Sequence, residues 1–373
     1  MATLGLPMIV TSKVVIYALA SALLFGISTP AAKLLLGTVH PAILAGLLYC
    51  GAGVGITLYR QVIALTGQGA REVPLSWQQL PWLAGAVCAG GIVGPLLLMA
   101  GLARTGAATS SLLLTLEGAA TAIMAWFIFH ENFDRRIALG MVFLVAGAAT
   151  LGWSGTPSLD GVAGPLLIVG ACLAWGLDNN LTRRVSLSDP LQVVQIKGLV
   201  AGPFNLALGL ALGGTLPTVP MTLTAGFVGL VGYGISLALF VFALRGLGAA
   251  RTGAYFSTAP FFGATAAVIA LGEPLTAQLA IAGLLMAAGV WLHLSEHHEH
   301  THTHEPMAHA HPHTHDEHHD HAHGPGDPPG ERHTHAHTHA PLTHSHPHTP
   351  DMHHAHRHGR LRSMLGTGGV EKD

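Results

Sequence analysis

The residues of this chain that could do chemistry are few, and they interrupt otherwise apolar segments. An acid and two amides stand in a row within LAWGLDNNLTRR (173–184), Glu117 stands within LLLTLEGAAT, and Lys197 stands within QVVQIKGLV. A charged side chain in apolar surroundings is costly, so it usually meets a partner or faces a cavity. Such groups can carry a proton, bind a polar solute or pair with one another.

Enzyme chemistry is not indicated by the sequence. It has no Ser-His-Asp arrangement and no HExxH motif, and Cys50, Cys88 and Cys172 form no CxxC pair. The run GAGVG (51–55) lies within an apolar segment and follows no strand, so it is interpreted as a helix-packing run rather than a dinucleotide loop. No basic surface interleaved with aromatic residues points to nucleic acid. We therefore expect a protein that is not an enzyme, requires no cofactor and binds no nucleic acid.

The composition divides the chain into two parts. Residues 1–295 carry 12 Lys and Arg and 8 Asp and Glu, whereas residues 296–373 carry 24 of the 27 histidines. Only 10% of the chain is charged, against about a quarter in soluble domains. The first part is an apolar body, and the second is a polar, histidine-rich tail.

The apolar body has the pattern of membrane-spanning helices. A spanning helix needs roughly 20 mostly apolar residues, and abundant Gly and Ala allow helices to pack closely in lipid. A soluble helical bundle would need charged outer faces, which these segments lack. We predict an all-α polytopic membrane protein whose partners include the lipid bilayer. Its ten predicted spans are 14–34, 41–60, 79–102, 106–129, 136–153, 163–182, 190–213, 222–244, 253–271 and 277–295.

The two halves of the body repeat one pattern. ARTGA occurs at 103–107 and again at 250–254, and LLFGISTPAAK (23–33) matches LAWGLDNNLTR (173–183). Five predicted spans fall in each half, and an odd number inverts the second copy relative to the first. Inverted repeats are typical of transporters that work by alternating access around a site between the halves. The predicted units are residues 1–155 (first repeat), 156–295 (second repeat) and 296–373 (tail).

The positions of lysine and arginine indicate an orientation. With the N-terminus in the cytoplasm, only Lys33 and Arg104 fall at outer ends or loops. Nine basic residues fall at inner ends or loops: Lys13, Arg60, Arg71, Arg135, Arg136, Arg183, Arg184, Arg245 and Arg251. This excess follows the positive-inside rule. We expect a multi-pass protein of the bacterial inner membrane with both termini in the cytoplasm.

The order of these motifs resembles the EamA family of the drug/metabolite transporter superfamily. The resemblance rests on the FG…K and WG…R signatures in the first helix of each half, on Glu117 and Glu131, and on the closing GEPL (272–275). It covers residues 14–295 and implies ten spans in two five-helix repeats. Where the family has Glu-Pro in the fourth helix, this chain has Glu117-Gly118, and the second half has Ala259-Pro260. A coupling role would therefore rest on the first-half glutamate.

Glu117 is expected near the middle of the membrane. It lies 14 residues before Glu131, which places it roughly 21 Å from the inner helix end at the helical rise per residue. One hypothesis is a protonatable or substrate-binding carboxylate, which is the default for an intramembrane acid. The other is a neutral, hydrogen-bonded acid that holds helices together.

Asp178 and Lys197 are expected to meet on adjacent helices near the inner mouth. By helical rise, Asp178 lies about 7 Å inside Arg183, and Lys197 lies about 10 Å beyond Pro190. We predict an ion pair between them, with Asn179, Asn180 and Gln195 nearby as hydrogen-bond partners. Helical phase separates neighbouring residues by about 100°, so only part of this cluster can face one cavity. A polar solute site and a structural pair both stay open, because buried pairs serve either purpose.

The histidine-rich tail has too few apolar residues to bury a core, and we predict it to be disordered. Its alternating histidines suit Zn, Ni, Co or Cu, since neutral imidazole is a good ligand for these ions. The predicted metal ligands are His297, His298, His300, His302, His304, His311, His313, His315, His318, His319, His321 and His323.

Three functions remain open from the sequence. The body exports or exchanges a small metabolite, with proton coupling through Glu117, while the tail buffers metal or senses pH. Alternatively, the body moves a divalent metal (Ni, Co or Zn) that the tail collects, or the body only anchors a metal store or sensor. The body has no intramembrane histidine or cysteine pair, which favours the first hypothesis. A homodimer is compatible with the sequence, which does not fix the oligomeric state.

Overall fold

The structure, a computed structural model, describes residues 6–66, 74–129, 135–152, 159–185 and 188–294 of the body, and 298–303, 307–313, 333–339 and 343–348 of the tail. The helices of the first half are α1 (Leu6–Leu36), α2 (Pro41–Thr66), α3 (Leu80–Ala86), α4 (Gly94–Arg104), α5 (Ala107–Leu113), α6 (Leu116–Phe129) and α7 (Arg135–Gly152). Those of the second half are α8 (Leu159–Arg183), α9 (Pro190–Ala211), α10 (Val219–Gly229), α11 (Ser236–Phe256), α12 (Ala259–Leu271) and α13 (Ala277–Leu294).

The predicted all-α membrane architecture is confirmed. Among the described residues, eight helices are long and apolar enough to cross a membrane, and two shorter apolar helices, Ala259–Leu271 and Ala277–Leu292, complete the set. Large apolar side chains cover the outside of the bundle: Phe127, Ile269 and Leu284 are 64%, 78% and 73% exposed. Such an apolar exterior fits lipid and not water.

Close packing of small residues holds the bundle together. Where α2 crosses α9, a Cβ atom on Gly198 would lie 2.5 Å from the Cα of Gly53. Only glycine permits backbones to approach this closely, and in lipid such contacts replace the hydrophobic drive between helices. The inverted halves use the same device at Gly26, which meets the backbone of α12, and at Gly176, which meets the backbone of α6.

The third helix of each repeat contains a π-helical turn. Val87–Val93 joins α3 to α4, and Leu230–Ile235 joins α10 to α11. A π-turn shifts the backbone hydrogen bonds by one residue and leaves carbonyl groups available to other partners, and such turns are frequent at functional sites.

The fourth helix of the first repeat is interrupted. α5 ends at Leu113, a turn covers Leu114 and Thr115, and α6 begins at Leu116. The second half has a matching turn at Ser257 and Thr258 before α12. Discontinuous helices of this kind surround the binding sites of many secondary transporters.

The element α11 bends back on itself. The rings of Phe240 and Phe256 are 4.9 Å apart, although 16 residues of straight helix would separate them by about 24 Å. The bend agrees with the separate spans 222–244 and 253–271 that the sequence predicts.

The tail departs from the predicted disorder in four segments, which form strands. They are β1 (His298–Thr303), β2 (Met307–His313), β3 (His333–His339) and β4 (Thr343–His348). β1 pairs with β4 and β2 with β3, both antiparallel. The alternation of histidine with threonine or alanine has the period of a strand, and threonine favours extended backbone. Among the predicted metal ligands, five lie on these strands and seven lie outside the described residues; the five are His298, His300, His302, His311 and His313.

Candidate functional site

The predicted ion pair between Asp178 and Lys197 is present. Lys197 Nζ on α9 donates to Asp178 Oδ1 (2.5 Å) and Oδ2 (2.7 Å) on α8. Both side chains are largely buried, at 13% and 10% exposure. The hydroxyl of Thr182, one turn along α8, donates to Asp178 Oδ1 at 2.8 Å and lies 3.2 Å from Lys197 Nζ. The charges therefore neutralise each other within a hydrogen-bonded group of three.

Gly90, on the π-turn Val87–Val93, makes room for this pair. A Cβ atom at position 90 would lie 1.8 Å from Asp178 Oδ2. The carbonyl oxygen of Gly90 accepts hydrogen bonds from the hydroxyl of Tyr49 (2.7 Å) and from Nε1 of Trp175 (2.9 Å). The amide of Asn205 donates to the next carbonyl, that of Gly91, at 2.9 Å. The π-turn is thus tied by its carbonyl groups to α2, α8 and α9.

The second half repeats this contact with different chemistry. Ser28 occupies in α1 the position that Asp178 occupies in α8, and a Cβ atom on Gly232 would lie 2.4 Å from Ser28 Cβ. Gly232 lies on the π-turn Leu230–Ile235. The two seams therefore share their geometry, while the buried charge is found at one of them.

Glu117 meets the same cluster through Asn179. Asn179 Nδ2 donates to Glu117 Oε1 at 2.9 Å and lies 3.1 Å from Thr121 Oγ1. This contact joins α6 of the first half to α8 of the second. The sequence estimate placed Glu117 at a different depth from Asp178, and the structure corrects it: the two acids belong to one cluster.

The reason for this correction is that the two helices end at different levels. Asn180 Nδ2 donates to the carbonyl of Thr121 (3.1 Å), which fixes these residues at one height. From there α6 continues eight residues to Phe129, whereas α8 ends three residues later at Arg183. The difference of five residues is about 7.5 Å of helix. Depth counted from each helix's own end therefore misplaced the two acids relative to each other.

Asn180 and Gln195 do not join the acid cluster as predicted. The Asn180 amide donates to the backbone carbonyls of Thr121 and Gly176 (3.1 and 2.8 Å), so it pins α8 to α6. Gln195 Nε2 donates to Thr57 Oγ1 of α2 at 3.0 Å. Two residues along a helix turn by about 200°, so Gln195 points away from the face that carries Lys197.

Glu117 lies in the first turn of α6, directly after the break at Leu114 and Thr115. A carboxylate is favourable at a helix N-terminus because the first backbone N–H groups are partly positive. Sequence reasoning missed this break. Its signal was the alignment of Glu117-Gly118 with Ala259-Pro260, since proline and glycine both mark helix boundaries.

At the end of the bundle that carries Lys33, two charged side chains cap the ends of helices by binding backbone groups. Lys33 Nζ donates to the carbonyls of Leu102 (2.6 Å) and Thr105 (2.8 Å), at the end of α4. Glu273, of the GEPL motif, accepts from the backbone N–H groups of Ala107 (2.6 Å) and Ala108 (2.8 Å) at the start of α5. One cation and one anion from opposite halves thus cap the two sides of the turn within ARTGA. The equivalent residue Glu131 lies outside the described residues.

Glu273→Ala should lower the thermal stability of the purified protein. The variant leaves two N–H groups of α5 without their acceptor, a loss of about 1 kcal/mol for a helix cap. Glu273→Gln keeps one acceptor oxygen, so its stability should fall between that of the alanine variant and that of the wild type. Thermal unfolding followed by intrinsic fluorescence measures both. An alanine variant as stable as the wild type would contradict the capping role.

The family follows from the match of both halves. Residues 12–153 and 162–295 each match the EamA-like transporter family. The chain belongs to the EamA-like transporter family. This EamA-like transporter is 29% identical over 282 residues to an uncharacterized transporter of Methanothermobacter thermautotrophicus, covering 72% of this chain and 82% of that protein. It is 30% identical over 190 residues to an uncharacterized protein of Pseudomonas aeruginosa, covering 51% of this chain and 65% of that protein.

A solved crystal structure has the same fold as this EamA-like transporter. The TM-score is 0.57 at 19% identity, and the match covers 75% of this chain and 95% of the other. The family and the fold agree with the membrane architecture and with the two repeats. The chain is therefore a membrane transporter.

Proposed function

We propose that this EamA-like transporter exports or exchanges a small metabolite by alternating access, with Glu117 as the residue that carries the coupling proton. The observation that carries the proposal is the hydrogen bond from Asn179 to Glu117 (2.9 Å). It places a titratable group at the seam between the two repeats. Movement of one repeat against the other would change the surroundings of that group, which is what coupling of a proton to transport requires.

The charge arrangement supports the same role. Lys197 is held by both oxygens of Asp178, and within the described residues Glu117 has no ion pair. Lys197 compensates the charge of Asp178, whereas an acid that has no such partner within a membrane is typical of proton relays in pumps and transporters. We assign the structural role to Asp178 and the coupling role to Glu117.

We also propose that both termini lie in the cytoplasm, because basic residues are in excess at the ends and loops on that side.

Comparison of culture media tests the transport proposal without knowledge of the substrate. Cells producing the wild-type protein should release at least one small metabolite that cells with an empty vector retain, as measured by untargeted mass spectrometry. Phe127→Leu, on the lipid-facing side of α6, is the matched control and should export normally. Identical media from wild-type and empty-vector cells, with the protein present in the membrane, would overturn the proposal.

The tail supports a second, separate proposal: it binds Zn, Ni, Co or Cu. Strand register sets histidine opposite histidine at His309 and His337, at His311 and His335, and at His313 and His333. Imidazole is a good ligand for these ions, and a tail with this many histidines offers many of them. Among the residues that the structure describes, no group of three or more His, Cys, Asp or Glu could hold a metal, so this second proposal rests on the histidine-rich composition of the tail.

Deletion of residues 297–373 separates these two functions. The shortened protein should export the metabolite at the wild-type level and lose most of its bound nickel or zinc, measured by equilibrium dialysis and elemental analysis. Loss of metal tolerance in cells, with export unchanged, would assign the tail to metal storage. Loss of export in a folded, membrane-inserted protein would contradict the separation, and would instead favour transport of the metal itself.

A further inference from the structure

Four aromatic side chains from the two repeats form a cluster. We call Phe25, Tyr49, Tyr233 and Phe256 the aromatic wall. Tyr233 is the link: its ring centre is 5.6 Å from that of Tyr49 and 5.7 Å from that of Phe25, and Phe25 is 5.3 Å from Phe256. The rings come from α1, α2, α11 and the second π-turn, so both repeats contribute. All four side chains are only half-buried, which leaves ring surface available to a solute.

The aromatic wall and Glu117 belong to one interior region. Tyr49 is bound to Gly90, which packs directly against Asp178, and Asn179, the next residue of α8, donates to Glu117. The hydroxyl of Tyr49 is already bound to the carbonyl of Gly90, so that residue offers a ring face and not a free donor. Beside the acid, a Cβ atom on Gly118 would meet nothing within 4 Å, and Asn179 is exposed. The carboxylate therefore borders open space on one side.

The charge of Glu117 is not balanced by a basic side chain in ion-pair contact within the part of the chain that the structure describes. Glu117 is hydrogen-bonded by the neutral amide of Asn179, while Lys197 is held by Asp178. Within the described residues, no basic side chain is in ion-pair contact with Glu117. When Glu117 is ionised, the cation that balances it must come from solution. An aromatic ring face attracts a cation as well, through its quadrupole.

We propose that the transported metabolite is a small organic amine, whose ammonium group binds Glu117 and Asn179 and whose apolar part lies against the aromatic wall. The inference rests on the proposed transport function and names the chemical class of its substrate. An anionic solute would meet the uncompensated carboxylate, and a neutral one would leave that charge unbalanced. A proton and the ammonium group would then bind Glu117 alternately. The transporter would thereby exchange a proton for the amine across the membrane.

Binding of three matched probes to the purified, full-length protein in lipid nanodiscs tests the proposal. The probes are 2-phenylethylamine, 2-phenylethanol and 3-phenylpropionate, which share a ring and differ in charge. Calorimetry should give the amine an affinity about ten- to a hundredfold higher than the alcohol, the ratio expected for a hydrogen bond to a charged group. The carboxylate should not bind. Equal affinity for the amine and the alcohol, or no binding of the amine, would overturn the assignment.

Two pairs of variants locate the site. Glu117→Gln should abolish the preference for amine over alcohol, and Tyr233→Leu should weaken amine binding by about three- to thirtyfold through loss of the cation–π contact. Tyr233→Phe keeps the ring and should bind the amine like the wild type, as should Phe127→Leu on the lipid-facing surface. An unchanged preference in Glu117→Gln would refute the site. If export depends on Glu117 but the amine does not bind, the proposed substrate class is wrong and the proposed transport function stands. If the amine binds but no metabolite is exported, the proposed transport function is wrong and the substrate class stands.

Discussion

Glu117→Gln should give a folded protein that no longer uses a proton gradient to drive transport. Glutamine has nearly the size of glutamate, and its amide oxygen can still accept the hydrogen bond from Asn179, so the seam between α6 and α8 should be retained. What is lost is the ability to release a proton and the charge that binds a cation. Gradient-driven transport in proteoliposomes should therefore fall by about tenfold or more, as expected when a charged hydrogen bond is removed.

The glutamine variant separates the two hypotheses for Glu117. If the acid only holds helices together, the retained hydrogen bond predicts normal transport. Asn179→Leu is the complementary variant, because it removes the donor and leaves the acid; it should transport more slowly but keep its dependence on the proton gradient. Normal gradient-driven transport by Glu117→Gln, at equal amounts in the membrane, would leave Glu117 with a structural role.

The sequence predicts those features that depend on composition and on helical rise. Asp178 and Lys197 meet as expected, because both positions were counted from the ends of two consecutive helices that share one short connection. The same counting failed for Glu117, since α6 extends further than α8 beyond their contact. Relative height between helices that are distant in the chain is set by packing at Gly176 against α6, which no local pattern reports.

Features that depend on the register of backbone hydrogen bonds could not be predicted from the sequence either. The π-turn at Val87–Val93 differs from an ordinary helix only in the partners of a few carbonyls. Its role is evident only from tertiary contacts, because Tyr49 and Trp175 donate hydrogen bonds to the Gly90 carbonyl. The aromatic wall is likewise invisible locally, because Phe25, Tyr49 and Tyr233 come from three separate elements.

The two halves differ in charge at equivalent positions. Both seams keep a glycine on a π-turn opposite the first helix of a repeat, Gly90 at one and Gly232 at the other. Only one of them received an acid in that first helix, where Asp178 stands against Ser28. The acid Glu117 in α6 has Ala259 as its counterpart in α12. The duplicated frame thus supplies two seams of similar geometry, and the hydrogen bond between the first-half acid Glu117 and the second-half amide Asn179 belongs to the more polar of the two.

Lys197→Met should destabilise the protein strongly, while the double variant Lys197→Met with Asp178→Asn should recover most of the loss. Removing one partner of a buried ion pair leaves an uncompensated charge, which costs about 3–5 kcal/mol. Removing both charges eliminates that cost, and the asparagine that replaces Asp178 can still accept a hydrogen bond from Thr182. Thermal unfolding in lipid nanodiscs measures the three proteins under one condition.

Arg60→Met is the matched control for this comparison. Arg60 also pairs with an aspartate, Asp189, which is 10% exposed like Asp178, but Arg60 itself is 31% exposed, so solvent screens this pair more than the one at Lys197. Asp189 keeps its own backbone donors at Leu191 and Gln192 when the arginine is gone, so the loss should be small. A double variant of Asp178 and Lys197 that is as stable as the wild type and transports normally would make the pair purely structural. If the double variant is stable but inactive, the pair also acts in transport. A second double variant with the charges exchanged, Asp178→Lys with Lys197→Asp, then shows whether the position of each charge matters. Transport by that variant would mean that only the mutual neutralisation of the two charges is needed.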